Sequence, residues 1–132
     1  MVRLAIVGIA GYGGVLTKLL NEIGEQVGCR LVAAADNRLA ELAQQAAELK
    51  KRGVELFDDA HEMFRRRRRD CQAVYIASGI PSHTSLAVAA AEAGYHVHLE
   101  KPPAATIQEM DRIIEALDRA GYSRFPQRFT CD

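Results

Sequence analysis

Short apolar runs alternate with longer amphipathic ones along this chain. The run at residues 2–7 predicts a strand, and the spacing of Val15, Leu16, Leu19, Leu20 and Ile23 predicts a helix over residues 13–27. Further strands are predicted at about residues 30–35, 54–57, 73–77 and 96–99, with helices over 39–51, 60–68 and 83–93 between them. A last helix starts at Thr106 and ends near Gly121, and an extended piece at about 123–129 would make a sixth strand. Gly28, Gly53 and Gly94 stand just past three of the helices, where a left-handed residue closes the last turn. Thr106-Ile107-Gln108-Glu109 has the T-x-x-E form of a capping box.

Strands alternating with helices of this length imply crossover connections. The expected fold class is therefore α/β: a doubly wound parallel sheet, Rossmann-like, three layers deep in the order α-β-α, with about six strands. In such sheets ligands sit beyond the carboxyl ends of the strands, where the strand order reverses. The unusual residues all fall at that edge: Gly8 to Gly14, Asp36, Ser78 to His83, and Glu100 to Pro103.

Composition narrows the picture. At 132 residues and 48% hydrophobic, the chain suits one domain with a real core, aliphatic because tryptophan is absent. Lys+Arg and Asp+Glu both number 17, so no bulk charge draws the chain to nucleic acid or to a membrane surface. No apolar stretch approaches the roughly 20 residues of a membrane span. Arg3 and the apolar run behind it faintly resemble a signal peptide, but the glycine density argues against one. The three cysteines, Cys29, Cys71 and Cys131, are far apart and show no metal spacing. Reduced thiols and a cytoplasmic setting are the expectation. The run Arg65 to Arg69 reads as the solvated end of a helix, where cations suit the dipole, rather than as a phosphate contact.

The densest chemistry lies in the turn after the first strand. Four glycines, Gly8, Gly11, Gly13 and Gly14, fall within seven residues. Glycine lets a large anion approach the backbone, and the following helix aims its free N–H groups at the turn. A diphosphate is the expected occupant, so the turn predicts a dinucleotide site. In one register of G-x-G-x-x-G the second glycine is replaced by Ala10; the register Gly8, Gly11, Gly14 keeps all three. Asp36, roughly 20 residues further on, ends the second strand, where a carboxylate accepts from ribose hydroxyls and repels a 2′-phosphate. That favours NAD, while Arg38, able to swing onto a 2′-phosphate, keeps NADP in view. The competing reading is that Asp36 or Asn37 merely caps the following helix. His61, His96 and His98 have no partner spacing that suggests metal binding or catalysis and are read as structural.

The stretch from Ala77 to Thr106 carries Pro81-Ser82-His83, then Gly94-Tyr95-His96-Val97, then Glu100-Lys101-Pro102. In that order, behind a glycine turn, these elements resemble the nucleotide-binding domain of the Gfo/Idh/MocA family (glucose-fructose oxidoreductase, inositol dehydrogenase and rhizopine catabolism). The resemblance runs from the first strand to Phe129. It implies an oxidoreductase that moves hydride between a nicotinamide and a sugar, polyol or related hydroxyl compound. Gly8, Ala10, Gly11, Tyr12, Gly13 and Gly14 would hold the diphosphate, and Asp36 with Arg38 would meet the adenosine ribose. Ser78, Gly79, Pro81 and His83 would line the path toward the nicotinamide, although His83 also reads as an ordinary first-turn helix residue. Glu100 and Lys101 would sit beside the nicotinamide ribose, with Lys101 also reaching the substrate as the catalytic residue. Its ammonium could hydrogen-bond a substrate oxygen and stabilise the negative charge that develops there.

Members of that family carry a second, α+β domain that supplies most of the substrate pocket and the catalytic histidine. This sequence stops at Asp132, so the expectation is one Rossmann domain, residues 1–132, inactive alone and lacking that second domain. The alternative is a stand-alone, non-catalytic nucleotide-binding or redox-sensing module. Homo-oligomers are also expected, because an uncovered sheet edge can drive self-association.

Overall fold

The computed structural model describes residues 1–121. The sixth strand expected at 123–129 and the thiol of Cys131 lie outside the described residues. Five strands, β1 (Val2–Val7), β2 (Cys29–Ala35), β3 (Glu55–Phe57), β4 (Ala73–Ile76) and β5 (His96–Leu99), form one sheet. All four pairings are parallel, and the order is β3-β2-β1-β4-β5. The chain builds outward from β1 to β3, then returns to the other side of β1 with β4. The order therefore reverses between β1 and β4, and crossovers of this kind leave the loops after both strands at the same edge.

Alternation along β1 and β2 sends side chains to two separate cores. Ala5, Val7, Ala33 and Ala35 face α3 (Ala60–Arg67), α4 (His83–Glu92) and α5 (Ile107–Arg119). Ile6 and Ala34 face the other way, toward Leu16 of α1 (Gly11–Ile23) and Leu49 of α2 (Ala43–Lys51). Both faces of β1 and β2 are thus covered, which is why these strands are almost purely aliphatic. Among the described residues no helix is long and apolar enough to cross a membrane.

Two element boundaries differ from the sequence pattern, each for a local reason. The first helix ends at Ile23, not near residue 27. A Cβ on Gly24 would sit 2.7 Å from the carbonyl oxygen of Cys29, so the chain folds closely under the start of β2 there. The second helix begins at Ala43, not at residue 39: the chain turns at Arg38, whose carbonyl accepts from Glu41 N and Leu42 N, and Leu42 leaves the helical conformation with φ −107° and ψ 36°. Thr106 does cap α5, accepting from Glu109 N at 3.1 Å. Glu109 reaches back to Ala105 N at 2.9 Å, one residue before the cap.

The arginine run is only partly solvated. Arg67 is 18% exposed and pairs with Glu55 and Asp70, each at 2.7 Å, tying the end of α3 to the edge strand β3. Cys29 and Cys71 are free thiols.

Tyr95, fully buried, joins α3 to the segment before β5. Its hydroxyl donates to the Phe64 carbonyl at 3.1 Å and its ring lies 5.5 Å from that of Phe64. Burial pushes its phenol well above the usual tyrosine range, so the folded state favours the neutral form. The stability this contributes is complete below about pH 10 and is lost as the pH rises past that point. Tyr95→Phe should lower the unfolding free energy at pH 7 by about 1 to 3 kcal/mol in urea titrations, since the Phe64 carbonyl loses its donor. The variant should also lose stability less steeply than the parent above about pH 10. Equal alkaline slopes would show that the phenol does not carry this dependence.

Candidate functional site

The loops that leave the carboxyl ends of β1, β2, β3 and β4 enclose a cleft of about 530 Å³. Gly8 opens it. Its φ of +90° is unsuited to a residue with a side chain, and a Cβ there would lie 2.8 Å from the Ala77 carbonyl oxygen. Gly8 N donates to the Ala35 carbonyl at 2.9 Å, so the turn is held against β2 as well as against β4.

Helix α1 starts at Gly11 directly behind this turn. A Cβ on Gly13 would fall 1.9 Å from the Gly8 carbonyl oxygen, and one on Gly14 would fall 3.0 Å from that of Ile9. The helix end therefore abuts the turn at a distance only glycine allows. Ala10 offers no side-chain cap and the first turn holds no acidic residue. No side chain of the helix's own neutralises the positive end of its dipole, which is the electrostatic condition for holding an anion.

Asp36 lines the same cleft and fastens it. Its Oδ2 accepts from Ile9 N at 3.0 Å and its Oδ1 accepts from Arg38 N at 2.9 Å. It does not cap the second helix, whose N-cap is Leu42; neither does Asn37. One carboxylate thus bridges the glycine turn and the loop after β2, and it keeps lone pairs for further donors. Arg38 also lines the cleft, but its guanidinium is paired with Glu41 at 2.8 Å.

Ser78 and Gly79 line the opposite wall, and Ser78 Oγ lies 2.7 Å from Ser82 Oγ. The remaining candidates do not line the cleft. Tyr12 is 61% exposed on α1, and Pro81 is exposed on the short 3-10 turn Ile80–Ser82. His83 departs furthest from the expectation, because it is only 1% exposed. Its Nδ1 lies 2.9 Å from the Pro102 carbonyl oxygen and its Nε2 lies 2.9 Å from that of Ser78. Its ring is wedged between the loop after β4 and the loop after β5, each nitrogen facing a carbonyl oxygen rather than the cleft, and the one N–H of the neutral ring donates to one of the two. Glu100 and Lys101 stand on that second loop; Lys101 is exposed, and the Tyr75 hydroxyl donates to Glu100 Oε1.

The sequence pattern passed over the loop after β3. Asp58, Asp59 and His61 line the cleft, and Asp59 caps α3 by accepting from His61 N at 2.9 Å. No glycine motif marks this loop, but the edge rule that singled out the other loops applies to it equally. With Asp36 it brings three carboxylate residues to the lining of a cleft that Arg38 also borders.

Comparison with known proteins agrees with this geometry. Residues 2–125 match the family model described as Gfo/Idh/MocA, an oxidoreductase family with an NAD-binding Rossmann fold. The chain is 28% identical to a myo-inositol 2-dehydrogenase of Thermotoga maritima over 131 residues, covering 96% of this chain and 37% of that protein. The solved structure of myo-inositol 2-dehydrogenase from Lactobacillus plantarum is similar with a TM-score of 0.76 at 26% identity, covering 90% of this chain and 33% of that one. The WlbA dehydrogenase of Bordetella pertussis, solved with NADH and UDP-GlcNAcA, is similar with a TM-score of 0.75 at 25% identity, covering 91% of this chain and 34% of that one. The chain spans about a third of the length of these relatives.

The contrast between two glycines tests the close approach of α1. Gly13→Ala must displace a carbonyl and should cost about 1 to 3 kcal/mol in thermal or urea unfolding. Gly11 has a φ of +54° but open space around its Cβ position. Gly11→Ala should therefore cost no more than about 1 to 2 kcal/mol, the backbone penalty alone, with nothing else displaced. A Gly13→Ala chain as stable as the parent would show that the helix does not abut the turn.

Proposed function

The chain belongs to the Gfo/Idh/MocA oxidoreductase family, and from that membership we propose that its cleft binds NAD in a defined direction. The observation that carries this reading is the uncapped start of α1 packed against Gly8, with Asp36 across the same cleft. The diphosphate lies on the turn formed by Gly8, Ala10, Gly11, Tyr12, Gly13 and Gly14, where the first-turn N–H groups meet it. The adenosine ribose hydroxyls donate to Asp36. Ser78 and Gly79, with Pro81 beyond them, border the path to the nicotinamide. His83 serves that path indirectly, through the two loops it joins. Glu100 accepts from the nicotinamide ribose.

NAD is favoured over NADP on electrostatic grounds. A 2′-phosphate beside Asp36 would enter the end of the cleft bordered by Asp58 and Asp59 as well. Arg38, the cation nearest in sequence, is already paired with Glu41.

The relatives are about three times as long as this chain, and the substrate site is proposed to be completed by a further α+β domain. NAD when bound supplies the hydride acceptor. The substrate is a sugar, polyol or related hydroxyl compound, in line with the inositol dehydrogenases among the relatives. Lys101, exposed just beyond β5, would donate from its ammonium to the substrate oxygen and stabilise the alkoxide formed once a base of the further domain takes the hydroxyl proton, before hydride leaves the carbon. A cytoplasmic setting and self-association are part of the same proposal.

Calorimetry on the folded chain should give NAD binding about tenfold tighter than NADP binding, a difference of about 1.4 kcal/mol. Asp36→Ala should weaken binding of both, because the turn loses its tether, but should weaken NAD more. Absence of heat with either nucleotide would overturn the proposal, and equal losses would remove Asp36 as the discriminator.

A further inference from the structure

Tyr75 of β4 and His98 of β5 are register partners, and their rings stack with centroids 4.5 Å apart and planes 13° apart. They lie on the face of the sheet opposite Val74 and Ile76, the two β4 residues buried against the α4 side. Side chains alternate along a strand, so the residue two beyond His98 projects from the same face. That residue is Glu100, and Tyr75 donates its hydroxyl to Glu100 Oε1. Glu100 N in turn donates to the Ile76 carbonyl at 3.0 Å. The backbone of Glu100 is thus continuous with the sheet, and its carboxylate is held by a phenol braced against an imidazole. Among the described residues its second carboxylate oxygen has no hydrogen-bond partner. Burial holds the His98 imidazole below its usual range, which favours the neutral, stackable ring.

We infer that Tyr75 is a positioning residue for the nicotinamide half of the dinucleotide: it fixes Glu100 by one oxygen so that the other is presented to the ribose hydroxyls, with His98 bracing the phenol. This rests on the proposal that Glu100 meets the nicotinamide ribose. A free glutamate side chain populates several rotamers, and the ribose would otherwise have to select one of them at an entropic cost. The stack and the phenol bear that cost during folding. Tyr75 does not line the cleft and acts through Glu100.

Calorimetry with two probes, NAD and ADP, tests this on the 132-residue chain. ADP lacks the nicotinamide riboside, so it reports the glycine turn and Asp36 but not Glu100. Tyr75→Phe keeps the ring and the stack; it should raise the Kd for NAD about fivefold and leave the Kd for ADP unchanged. Glu100→Ala should also raise the Kd for NAD and not that for ADP. The double variant should bind NAD no more weakly than Glu100→Ala alone, because the phenol has nothing left to hold. If Glu100→Ala weakens NAD binding but Tyr75→Phe does not, the role of Tyr75 is overturned and that of Glu100 stands. If Glu100→Ala leaves NAD binding unchanged, the placement of Glu100 fails and this inference fails with it. Equal weakening of NAD and ADP by Tyr75→Phe would mark a fault in folding and would also overturn the inference.

Discussion

The cleft depends on how closely α1 approaches the turn after β1. A side chain at position 13 would make the helix stand off from the Gly8 carbonyl, because a Cβ at Gly13 would lie 1.9 Å from that oxygen. With glycine there, the dipole end and its free N–H groups are delivered to the floor of the cleft. The aliphatic sides of β1 and β2 hold this arrangement rigid. Ile6 and Ala34 on one face and Ala5 and Ala33 on the other are fully buried, so the strands cannot tilt without opening a core.

Two polar ties then join the loops into one site. Asp36 holds the glycine turn to the loop after β2 by accepting from Ile9 N and Arg38 N. His83 holds the loop after β4 to the loop after β5 through the Ser78 and Pro102 carbonyls. Asp36 satisfies two backbone N–H groups, whereas the neutral His83 ring, with its single N–H, donates to one of its two carbonyls and packs against the other; loop backbone left unpaired is costly. The first tie lies in the proposed adenosine half and the second in the proposed nicotinamide half. Positions that a binding motif marks can thus serve by shaping loops as much as by touching a ligand.

Much of the fold was legible because its signals are local. Apolar runs of strand length, glycines past helix ends and the T-x-x-E at Thr106 each depend on neighbours within a few residues. Element order and the parallel sheet followed from alternation alone. The helix ends at Ile23 and Ala43 were not legible, since they depend on the approach of Gly24 to Cys29 and on the non-helical backbone of Leu42. The site divided the same way. Of the residues the edge rule marked, Gly8, Ala10, Asp36, Ser78 and Gly79 line the cleft, and Arg38 lines it too. Asp58 and Asp59 were passed over because no motif advertises them; His61 and His98 were read as structural, and the fold places His61 at the cleft and stacks His98 on a partner from another strand.

The sequence by itself determined which chemistry is available at the edge: glycines for close approach, a carboxylate after β2, and a glutamate and lysine after β5. These follow from residue type and from position at the end of a strand. Tertiary structure decided what each side chain is free to do. It buried His83 between two carbonyls, paired Arg38 with Glu41, and bound one oxygen of Glu100 to Tyr75. The physical reason is that a hydrogen-bonding group has a limited number of donors or lone pairs, and only the fold shows which are already taken.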